Sequence, residues 1–391
     1  MDLTSPKPSE HLNTLADIFA RTFTDYWARR AYVLDGYIAE SPYDWEASRI
    51  GVVDGEIATH FGVWDMQVRV GRSALRLAGI GAVATMKAFR GKGLMAETAA
   101  DCVGGLDAAG YDVSLLFGIP NFYHRYGYVV SASDRSIVLE TRETAASDEP
   151  VVYERFEGPV SELADLSNAD NAGVTGTYVR PTYRLNRRHE KFAIFRFDGG
   201  YIVCGREGAT LQVADCAGDP AAIVEIARQR ALAEVCTEID FCFIPPRSRT
   251  GEYLQTLTHR VVCERHANGG AMLKVVNLER TLEKVAPELT ARLADSPLHA
   301  YSGTLALYGE GDGVVLGISS GQVSELTHAG AGVTANGTIV GGNAFGRLIM
   351  GDGDPNRVCR QSGIELSGDA RQLVPILFPD QEPSTILWDR F

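Results

Sequence analysis

The feature that most constrains the fold is an apolar strand that leads through a short basic, glycine-rich loop into a helix. Residues 80–85 are almost wholly apolar, as expected of a strand buried on both faces. Arg90-Gly91-Lys92-Gly93 follows, and between Leu94 and Leu106 apolar residues recur at helical spacing. A strand–loop–helix unit of this kind predicts an α/β fold with a strand at its centre.

The segments on either side complete one α/β unit. An amphipathic helix is predicted over residues 9–23, and Asp54-Gly55 predicts the tight turn of a β-hairpin. After the central helix we expect a buried strand over 113–119, a short helix or turn over 120–125, and a strand over 128–138.

Two further units are predicted after a polar stretch near residues 146–150. The second repeats the order of the first, with a helix, three strands and another helix; these are 158–170, 191–197, 200–205, 210–215 and the helix that Asp219-Pro220 begins. The third has α+β character, with a helix around 289–293 and glycine-rich strands after it. The predicted domains are residues 1–145, 146–284 and 285–391.

Composition narrows the class of protein. Lys and Arg number 37 against 50 Asp and Glu, so the formal charge is −13, and no basic run suggests a nucleic-acid partner. No apolar run is long enough for a membrane span, and the N-terminus lacks a secretory signal, which predicts a cytoplasmic protein. The seven cysteines are scattered and are interpreted as reduced core residues, so no metal site is expected. The acidity suits a cationic small molecule as partner, or serves solubility.

The loop after the central strand has the chemistry of a pyrophosphate site. A helix N-terminus offers unpaired backbone N–H groups and the positive end of the helix dipole. Gly91 and Gly93 leave the approach clear, while Arg90 and Lys92 add positive charge. The loop contains neither a dinucleotide fingerprint nor a Walker motif. The alternative is that the two glycines merely make a turn.

Two motifs in this order resemble those of a known superfamily. Val83-Ala-Thr85 with Arg90-Gly-Lys-Gly93-Leu resembles the coenzyme A motif of GNAT acetyltransferases, and the segment Phe122–Tyr128 resembles their downstream Tyr/Gly signature. Nearly the whole chain resembles the Eis-type (enhanced intracellular survival) acetyltransferases. That resemblance implies tandem GNAT-like domains, the second without a cofactor site, and then an α+β domain of sterol-carrier-protein shape.

Three features carry the closer resemblance. Residues 217–220 (Ala-Gly-Asp-Pro) stand where a second coenzyme loop would be, without a basic residue. Residues 272–278 resemble the joint between the second and third domains, and the chain ends in an aromatic residue, Phe391.

The resemblance implies acetyl-CoA as co-substrate. Backbone groups of Val83 and Thr85 would then pair with the pantetheine arm, and the loop from Arg90 to Gly93, Lys92 included, would hold the pyrophosphate. Gly91 and Gly118 depart from some relatives, which carry an arginine and a serine at these positions.

Four further residues are candidates for the chemistry. By resemblance Tyr123 is the general acid and the Phe391 carboxylate lies in the active site. From the residues alone, Tyr123 could equally be a core aromatic, and 386–388 could be the last strand of the third domain, with Phe391 covering its edge. Asp25 and Trp27 are candidates for an amine pocket, or else a solvated carboxylate and an anchoring ring.

The sequence thus predicts an N-acetyltransferase that acts on primary amines of a small cationic molecule, of aminoglycoside or polyamine type, or on lysine side chains. The alternative is a non-catalytic protein that holds an apolar ligand in its third domain. A hexamer is implied by resemblance alone. Two other motifs are given no site: Gly309–Gly313 predicts a hairpin turn, and 352–356 lacks the residues that a calcium loop needs.

Overall fold

Three β-sheets organise the part of the chain that the computed structural model describes, namely residues 1–23, 38, 41–147, 151–181, 191–330 and 333–390. The first and second sheets have seven strands each and the third has five. The predicted order of two α/β units followed by an α+β unit is confirmed by these sheets.

The first sheet carries the predicted strand–loop–helix unit. Its order is β1-β2-β3-β4-β5-β14-β6, and its strands are β1 Asp2–Thr4, β2 Arg49–Val53, β3 Glu56–Val70, β4 Ser73–Thr85, β5 Val113–Gly118, β6 Val129–Val130 and β14 Gly270–Val275.

The second sheet repeats that arrangement. Its order is β13-β7-β12-β11-β10-β9-β8, and its strands are β7 Asp134–Glu140, β8 Tyr153–Arg155, β9 Ala193–Phe197, β10 Gly200–Glu207, β11 Thr210–Ala217, β12 Glu238–Phe241 and β13 Arg260–Glu264.

The third sheet has the order β17-β16-β15-β18-β19, with β15 Gly303–Tyr308, β16 Gly313–Ser319, β17 Gln322–His328, β18 Gly337–Val340 and β19 Glu365–Gly368. The α-helices of the described residues are α1 Pro8–Phe23, α2 Leu94–Gly105, α3 Ala164–Asp170, α4 Pro220–Ala233, α5 Arg249–Leu254, α6 Leu278–Ala294, α7 Phe345–Met350, α8 Pro355–Ser362 and α9 Ala370–Leu377.

The first two units exchange a strand. Residues 128–138 were predicted as one strand, which is wrong: β6 belongs to the first sheet and β7 to the second. Ser131 still donates its N–H to the Ala271 carbonyl (3.0 Å) on the first sheet, and Asp134 already pairs with Glu264 on the second. Side-chain alternation is the same on either side of this crossing, so the sequence pattern does not reveal it.

The returning strand is β14. Residues 272–278 were interpreted as a joint between domains, but residues 272–275 pair with β5 inside the first sheet, and the chain then enters α6 directly. Each of the first two units contributes a strand to the sheet of the other. The strand order therefore does not give the domain boundaries, and the domain ranges 1–145, 146–284 and 285–391 stay a prediction.

Local predictions in the first unit hold. The helix predicted over 9–23 is α1, with Leu15 and Phe19 buried on its inner face. The hairpin turn at Asp54-Gly55 has positive φ angles of 52° and 82° at its two central residues, as a primed turn requires.

Helix α6 joins the first unit to the third. Leu282, Val285 and Leu289 on α6 are buried in one apolar cluster that also contains Leu75 of β4 and Leu305 of β15. A continuous core of this kind ties the two units together, because separating them would expose apolar area from both.

Other expectations concern cysteines, membranes and metals. All seven cysteines are free thiols, and six are buried, but Cys263 on β13 is exposed and is not a core residue. Within the described ranges, no helix has the length and apolar content needed to span a membrane. The same ranges contain no cluster of His, Cys, Asp and Glu side chains suited to a metal ion.

Candidate active site

The candidate site begins where two parallel strands of the first sheet separate. Pairing between β4 and β5 runs from Leu77–Val113 to Ile80–Leu116 and then ends. Strand β4 continues to Thr85, and among the described residues no strand pairs with it on that side. The result is a cleft, which we call the first cleft, bordered by residues 81–85 and by the end of β5.

The strand register shows which backbone groups face the first cleft. Met86 donates its N–H to the Ala58 carbonyl (2.9 Å) at the end of β3. Since backbone groups of successive strand residues point to opposite sides, those of Thr85 point toward the cleft. Val83, two residues earlier, lies in a bulge of this ladder together with Ala82 and is half-buried at the cleft wall.

The basic loop closes one end of the first cleft. Gly91 and Gly93 have φ angles of 76° and 77°, a region that only glycine enters readily, and α2 begins at Leu94. This conformation gives a physical reason for glycine at position 91, where some relatives are expected to carry arginine. Residues 90–93 are all exposed, so the first N–H groups of α2 remain open to an anion.

Two basic side chains flank the loop. The Nε of Arg90 donates to the Thr85 carbonyl (3.0 Å), which ties the loop to the end of β4. The Nζ of Lys92 lies 5.3 Å from the centroid of the Phe89 ring. Both cations therefore stand beside the helix N-terminus, where they would add to its attraction for phosphate.

Tyr123 lies against the other wall, at the start of a 3-10 helix formed by residues 123–126. Its ring is buried, with Phe122 at a centroid distance of 4.9 Å. A Cβ placed on Gly118, at the end of β5, would lie 2.5 Å from the Tyr123 ring. Glycine at position 118 therefore leaves room for the Tyr123 ring.

The environment of Tyr123 suits a proton donor. Burial, and then the charge of the Tyr126 phenolate, raise the pKa of Tyr123 to about 12, so the phenol stays protonated throughout the neutral range. Within the described ranges its hydroxyl has no hydrogen-bond partner, whereas the neighbouring Tyr126 hydroxyl donates to the Ala96 carbonyl (3.2 Å) on α2.

The second unit contains a counterpart of the first cleft. Strands β11 and β12 pair in parallel from Thr210–Glu238 to Val213–Phe241, and β11 then runs on to Ala217. In the loop that follows, Gly218 lies against the backbone of β10, because a Cβ on it would lie 2.7 Å from the Gly200 Cα. We call this region the second cleft.

The C-terminal tail fills the second cleft. Ile386 is buried in a cluster with Ala214 and Ala217 of β11, and Ser384 donates its hydroxyl to the Phe243 carbonyl (2.9 Å) just beyond β12. Residues 387–389 form a 3-10 helix against β11 rather than a strand of the third sheet. The alternative that assigned residues 386–388 to the third sheet is therefore wrong.

A buried ion cluster fixes this tail. Arg180 donates to Asp389 (Nη2–Oδ2 2.9 Å) and pairs with Asp215 at 2.7 Å, and Tyr201 donates its hydroxyl to Asp215 (2.7 Å). All four side chains are almost fully buried. Buried ion pairs contribute little net stability compared with apolar packing, but they hold their members in one geometry.

The tail then reaches the first unit. The Arg390 guanidinium lies 3.7 Å from the centroid of the Phe243 ring and 4.9 Å from that of Phe117 on β5, and it pairs with Asp134 at 2.5 Å. Phe391 follows directly but lies outside the described residues, as do Asp25 and Trp27, so their predicted roles stay predictions.

The two motifs that were assigned no site in the sequence analysis have structural roles. Gly309–Gly313 joins antiparallel strands β15 and β16, as predicted. Asp352 is buried and accepts hydrogen bonds from Arg265 (Nη2–Oδ1 2.6 Å) and Arg347 (Nε–Oδ2 3.2 Å). His124, within the Tyr/Gly signature, is exposed.

Sequence reasoning missed His60 and Tyr43. The His60 Nδ1 lies 2.9 Å from the Ala82 carbonyl oxygen, and its Nε2 lies 2.6 Å from the Tyr43 hydroxyl. A histidine within the apolar run 57–64 was the one available signal. The contact with β4 depends on a strand register that the sequence does not state.

Comparison with known proteins agrees with this geometry. Residues 5–131 match the model of the family described as Acetyltransferase (GNAT) domain. By this match residues 5–131 form a GNAT acetyltransferase domain. No curated protein sequence matches it.

Solved structures share the architecture over the full length. A GCN5-related N-acetyltransferase from Anabaena variabilis has 16% identity and a TM-score of 0.76, and covers 100% of both chains. One from Kribbella flavida has 16% identity and a TM-score of 0.74, with coverage of 100% of this chain and 98% of the other. Eis1 from Mycobacterium abscessus has 16% identity and a TM-score of 0.70, and covers 100% of both. At this identity the likeness shows a common fold.

Proposed function

We propose that this protein transfers the acetyl group of acetyl-CoA to a primary amine of a small cationic molecule, of aminoglycoside or polyamine type, or to a lysine side chain. The observation that carries the proposal is the first cleft, with the exposed basic loop at residues 90–93 on one side and Tyr123 on the other. The second cleft differs, because the C-terminal tail fills it and its loop has no basic residue.

The residues present fit the co-substrate. The open N-terminus of α2 with Arg90 and Lys92 would hold the pyrophosphate, and the strand edge at Val83 and Thr85 would pair with amides of the pantetheine arm. This arrangement points the thioester toward the end of β5, where Tyr123 lies.

The chemistry has three requirements. The amine must lose a proton so that its nitrogen can bond to the thioester carbonyl carbon, whose C=O electron pair moves onto oxygen. When that pair returns, the C–S bond breaks and sulfur leaves as a thiolate. Tyr123, which is protonated in the neutral range, would give its proton to that thiolate. The nitrogen must lose a second proton as the amide forms, and the Tyr123 phenolate would take up that proton, directly or through water.

A terminal carboxylate is our candidate for the base. Asp389 is anchored to Arg180, and Arg390 rests on Phe117, so the chain end is led to β5 of the first unit. In this proposal the Phe391 carboxylate attracts the ammonium group and takes its proton, while Asp25 and Trp27 line the amine pocket.

The decisive assay mixes the protein, acetyl-CoA and a panel of amines and follows the release of free thiol. Turnover with at least one polycationic amine is expected. A panel that included peptide lysines, aminoglycosides and polyamines and gave no turnover would contradict the proposal.

A C-terminal tag tests the terminal carboxylate. A tag that adds residues after Phe391 moves the carboxylate, so it should lower turnover while acetyl-CoA affinity and thermal stability stay unchanged. The same tag at the N-terminus is the control. Full activity of the C-terminally tagged protein would leave the tail as structure only.

The packing of the third unit does not support the alternative function, that of a carrier for an apolar ligand. Leu289 of α6, Leu305 of β15 and Leu373 of α9 are fully buried in one continuous cluster. No contact among these described side chains favours that function.

We also propose that the protein self-associates, with a hexamer as the expected state. All residues of the edge strand β13 are exposed, including Val261 and Val262. Unpaired edge strands with apolar side chains favour pairing with another chain. Antiparallel pairing of two copies about Val262 would set Arg260 opposite Glu264. Sedimentation of a monomer at micromolar concentration would contradict self-association.

A further inference from the structure

A buried imidazole lies directly beneath the first cleft. His60 of β3 is fully buried, and its ring centroid lies 4.7 Å from that of Phe19 on α1. A Cβ on Gly62, two residues along β3, would lie 2.7 Å from the His60 Cε1. Glycine at position 62 thus makes room for the ring, and the surrounding packing fixes its position.

The hydrogen bonds of His60 determine its tautomer. The Ala82 carbonyl oxygen can only accept, so the His60 Nδ1, 2.9 Å away, carries the hydrogen and donates it. The Nε2 is then an acceptor, and the Tyr43 hydroxyl donates to it at 2.6 Å. Burial lowers the pKa of His60 to about 4 and raises that of Tyr43, so both groups are neutral near pH 7.

The carbonyl that His60 holds belongs to an unusual residue. Ala82 has a φ of 50°, which is rare for a residue with a Cβ, and it lies where the β3–β4 register shifts between His60 and Gly62. A strained backbone conformation persists only where surrounding contacts enforce it. The His60 hydrogen bond is such a contact.

The geometry of the peptide unit gives this contact a consequence. In a trans peptide the C=O and the following N–H point in opposite directions. Because the Ala82 C=O points to the imidazole, the Val83 N–H points away from it. Val83 itself packs against the apolar cluster that contains Tyr123, on the other face of the sheet from His60. The N–H is therefore directed to the side of β4 where Tyr123 lies.

We propose that His60, supported by Tyr43, is a positioning residue that fixes the Ala82–Val83 peptide so that the Val83 N–H donates to the thioester carbonyl oxygen. This inference rests on the proposed function. As the amine nitrogen bonds to the carbonyl carbon, negative charge gathers on that oxygen, and a fixed donor stabilises it without having to reorient. His60 acts through the backbone and does not itself exchange a proton with the substrate.

The test compares three variants with a matched control. His60→Leu removes both hydrogen bonds, His60→Gln keeps an amide that can donate to the Ala82 carbonyl, and Tyr43→Phe removes only the support. Tyr111→Phe is the control, because the Tyr111 hydroxyl also donates one buried hydrogen bond (2.6 Å to Asp44) in the first unit.

Two readouts separate positioning from general stability. His60→Leu should lower kcat about tenfold or more, with the KM for acetyl-CoA nearly unchanged, and His60→Gln should recover most of the loss. In infrared difference spectra of bound acetyl-CoA labelled with ¹³C at the carbonyl, the C=O stretch should be shifted down in the wild type. It should return toward its value in solution in His60→Leu.

Unchanged kcat and an unchanged carbonyl stretch in a folded His60→Leu protein would overturn the inference. If that variant does not fold, Tyr43→Phe decides, with the same two readouts and with Tyr111→Phe showing neither effect. The proposed function would fail separately if the wild type acetylated no amine. The inference about His60 could still be tested in that case, because the carbonyl stretch of bound acetyl-CoA reports the Val83 contact without turnover. A wild-type protein that does not bind acetyl-CoA would overturn both.

Discussion

The first and second clefts are built from the same pair of parallel strands, yet one is open and the other is filled. In the first, β4 runs past Ile80 to a loop with positive φ at two glycines and two exposed cations. In the second, β11 runs past Val213 to a loop without a basic residue, and the tail occupies the space. The same pair of strands thus borders an open cleft in the first unit and a filled cleft in the second. The loop after the strand and the C-terminal tail cause this difference.

The second unit holds the C-terminal tail in place, a role that its sequence does not reveal. Its cleft holds Ile386 and Asp389 and so sends Arg390 toward β5 of the first unit. The strand exchange through β7 and β14 fixes the two sheets relative to each other. Ile386 and Asp389 are thereby anchored in the second cleft, and Arg390 contacts Phe117 of β5.

The largest effect is expected from breaking the anchor in the second cleft. Asp389→Asn leaves the buried Arg180 with one carboxylate fewer, and removing one member of a buried ion pair costs about 3–5 kcal/mol. Urea unfolding should show a loss of this order. Asp101→Asn is the control, since the Arg49–Asp101 pair is also short (2.7 Å) but Asp101 is exposed; it should cost under about 1 kcal/mol. Equal losses in the two variants would contradict the anchor.

In the first cleft the largest effect is expected at Tyr123. Tyr123→Phe removes the proton donor but keeps the ring against Gly118, so turnover should fall on the order of a hundredfold while acetyl-CoA binding is kept. Steady-state kinetics with calorimetry checks this. Tyr126→Phe, which removes a hydroxyl bonded to the Ala96 carbonyl, is the control and should stay near wild-type activity. Near-normal turnover of Tyr123→Phe would make it a core aromatic.

The loop of the first cleft is tested by a charge reversal. Acetyl-CoA at 100 times its Kd should stabilise the wild type by about 2.7 kcal/mol, and Arg90→Glu should abolish the shift in Tm by placing a negative charge beside the phosphates. Arg142→Glu makes the same charge change at an exposed turn after β7 and should leave the shift intact. A normal shift in Arg90→Glu would refute the loop assignment.

Stoichiometry sharpens the comparison further. Since the tail occupies the second cleft, calorimetry should give one acetyl-CoA per chain. A protein shortened to end at residue 382 should still bind no second equivalent, because the loop offers no cation. Two equivalent sites in the wild type would end the distinction between the clefts.

The smallest effect is a dependence of stability on pH. Burial lowers the pKa of His60 to about 4 from the ordinary value of 6.5, so between these values the unfolded chain binds the proton and the folded chain does not. The free energy of unfolding therefore keeps the full contribution of neutral His60 above pH 6.5 and loses it as the pH falls toward 4. The expected loss is about 1 kcal/mol between pH 6 and pH 5. The wild-type slope should exceed that of His60→Gln by this amount. Parallel slopes would show that His60 takes up its proton equally in both states.

The sequence by itself determined the elements and the loop. Periodicity located α1 and α2, the Asp54-Gly55 turn and the strand before Arg90, because these follow from local side-chain alternation and turn chemistry. The glycines and cations of the loop were visible for the same reason. The resemblance then supplied Tyr123, for which the local pattern alone left a core role equally open.

Tertiary structure decided what depends on which segments meet. The separation of 128–138 into two sheets, the entry of β14 beside β5 and the burial of Asp389 against Arg180 join residues far apart in the chain, and local periodicity is the same whichever partner is chosen. The contact of His60 with Ala82 is of this kind as well, since it arises from a register shift between β3 and β4. The sequence predicts which residues a strand contains, but only the folded sheet determines which residues of neighbouring strands lie opposite each other.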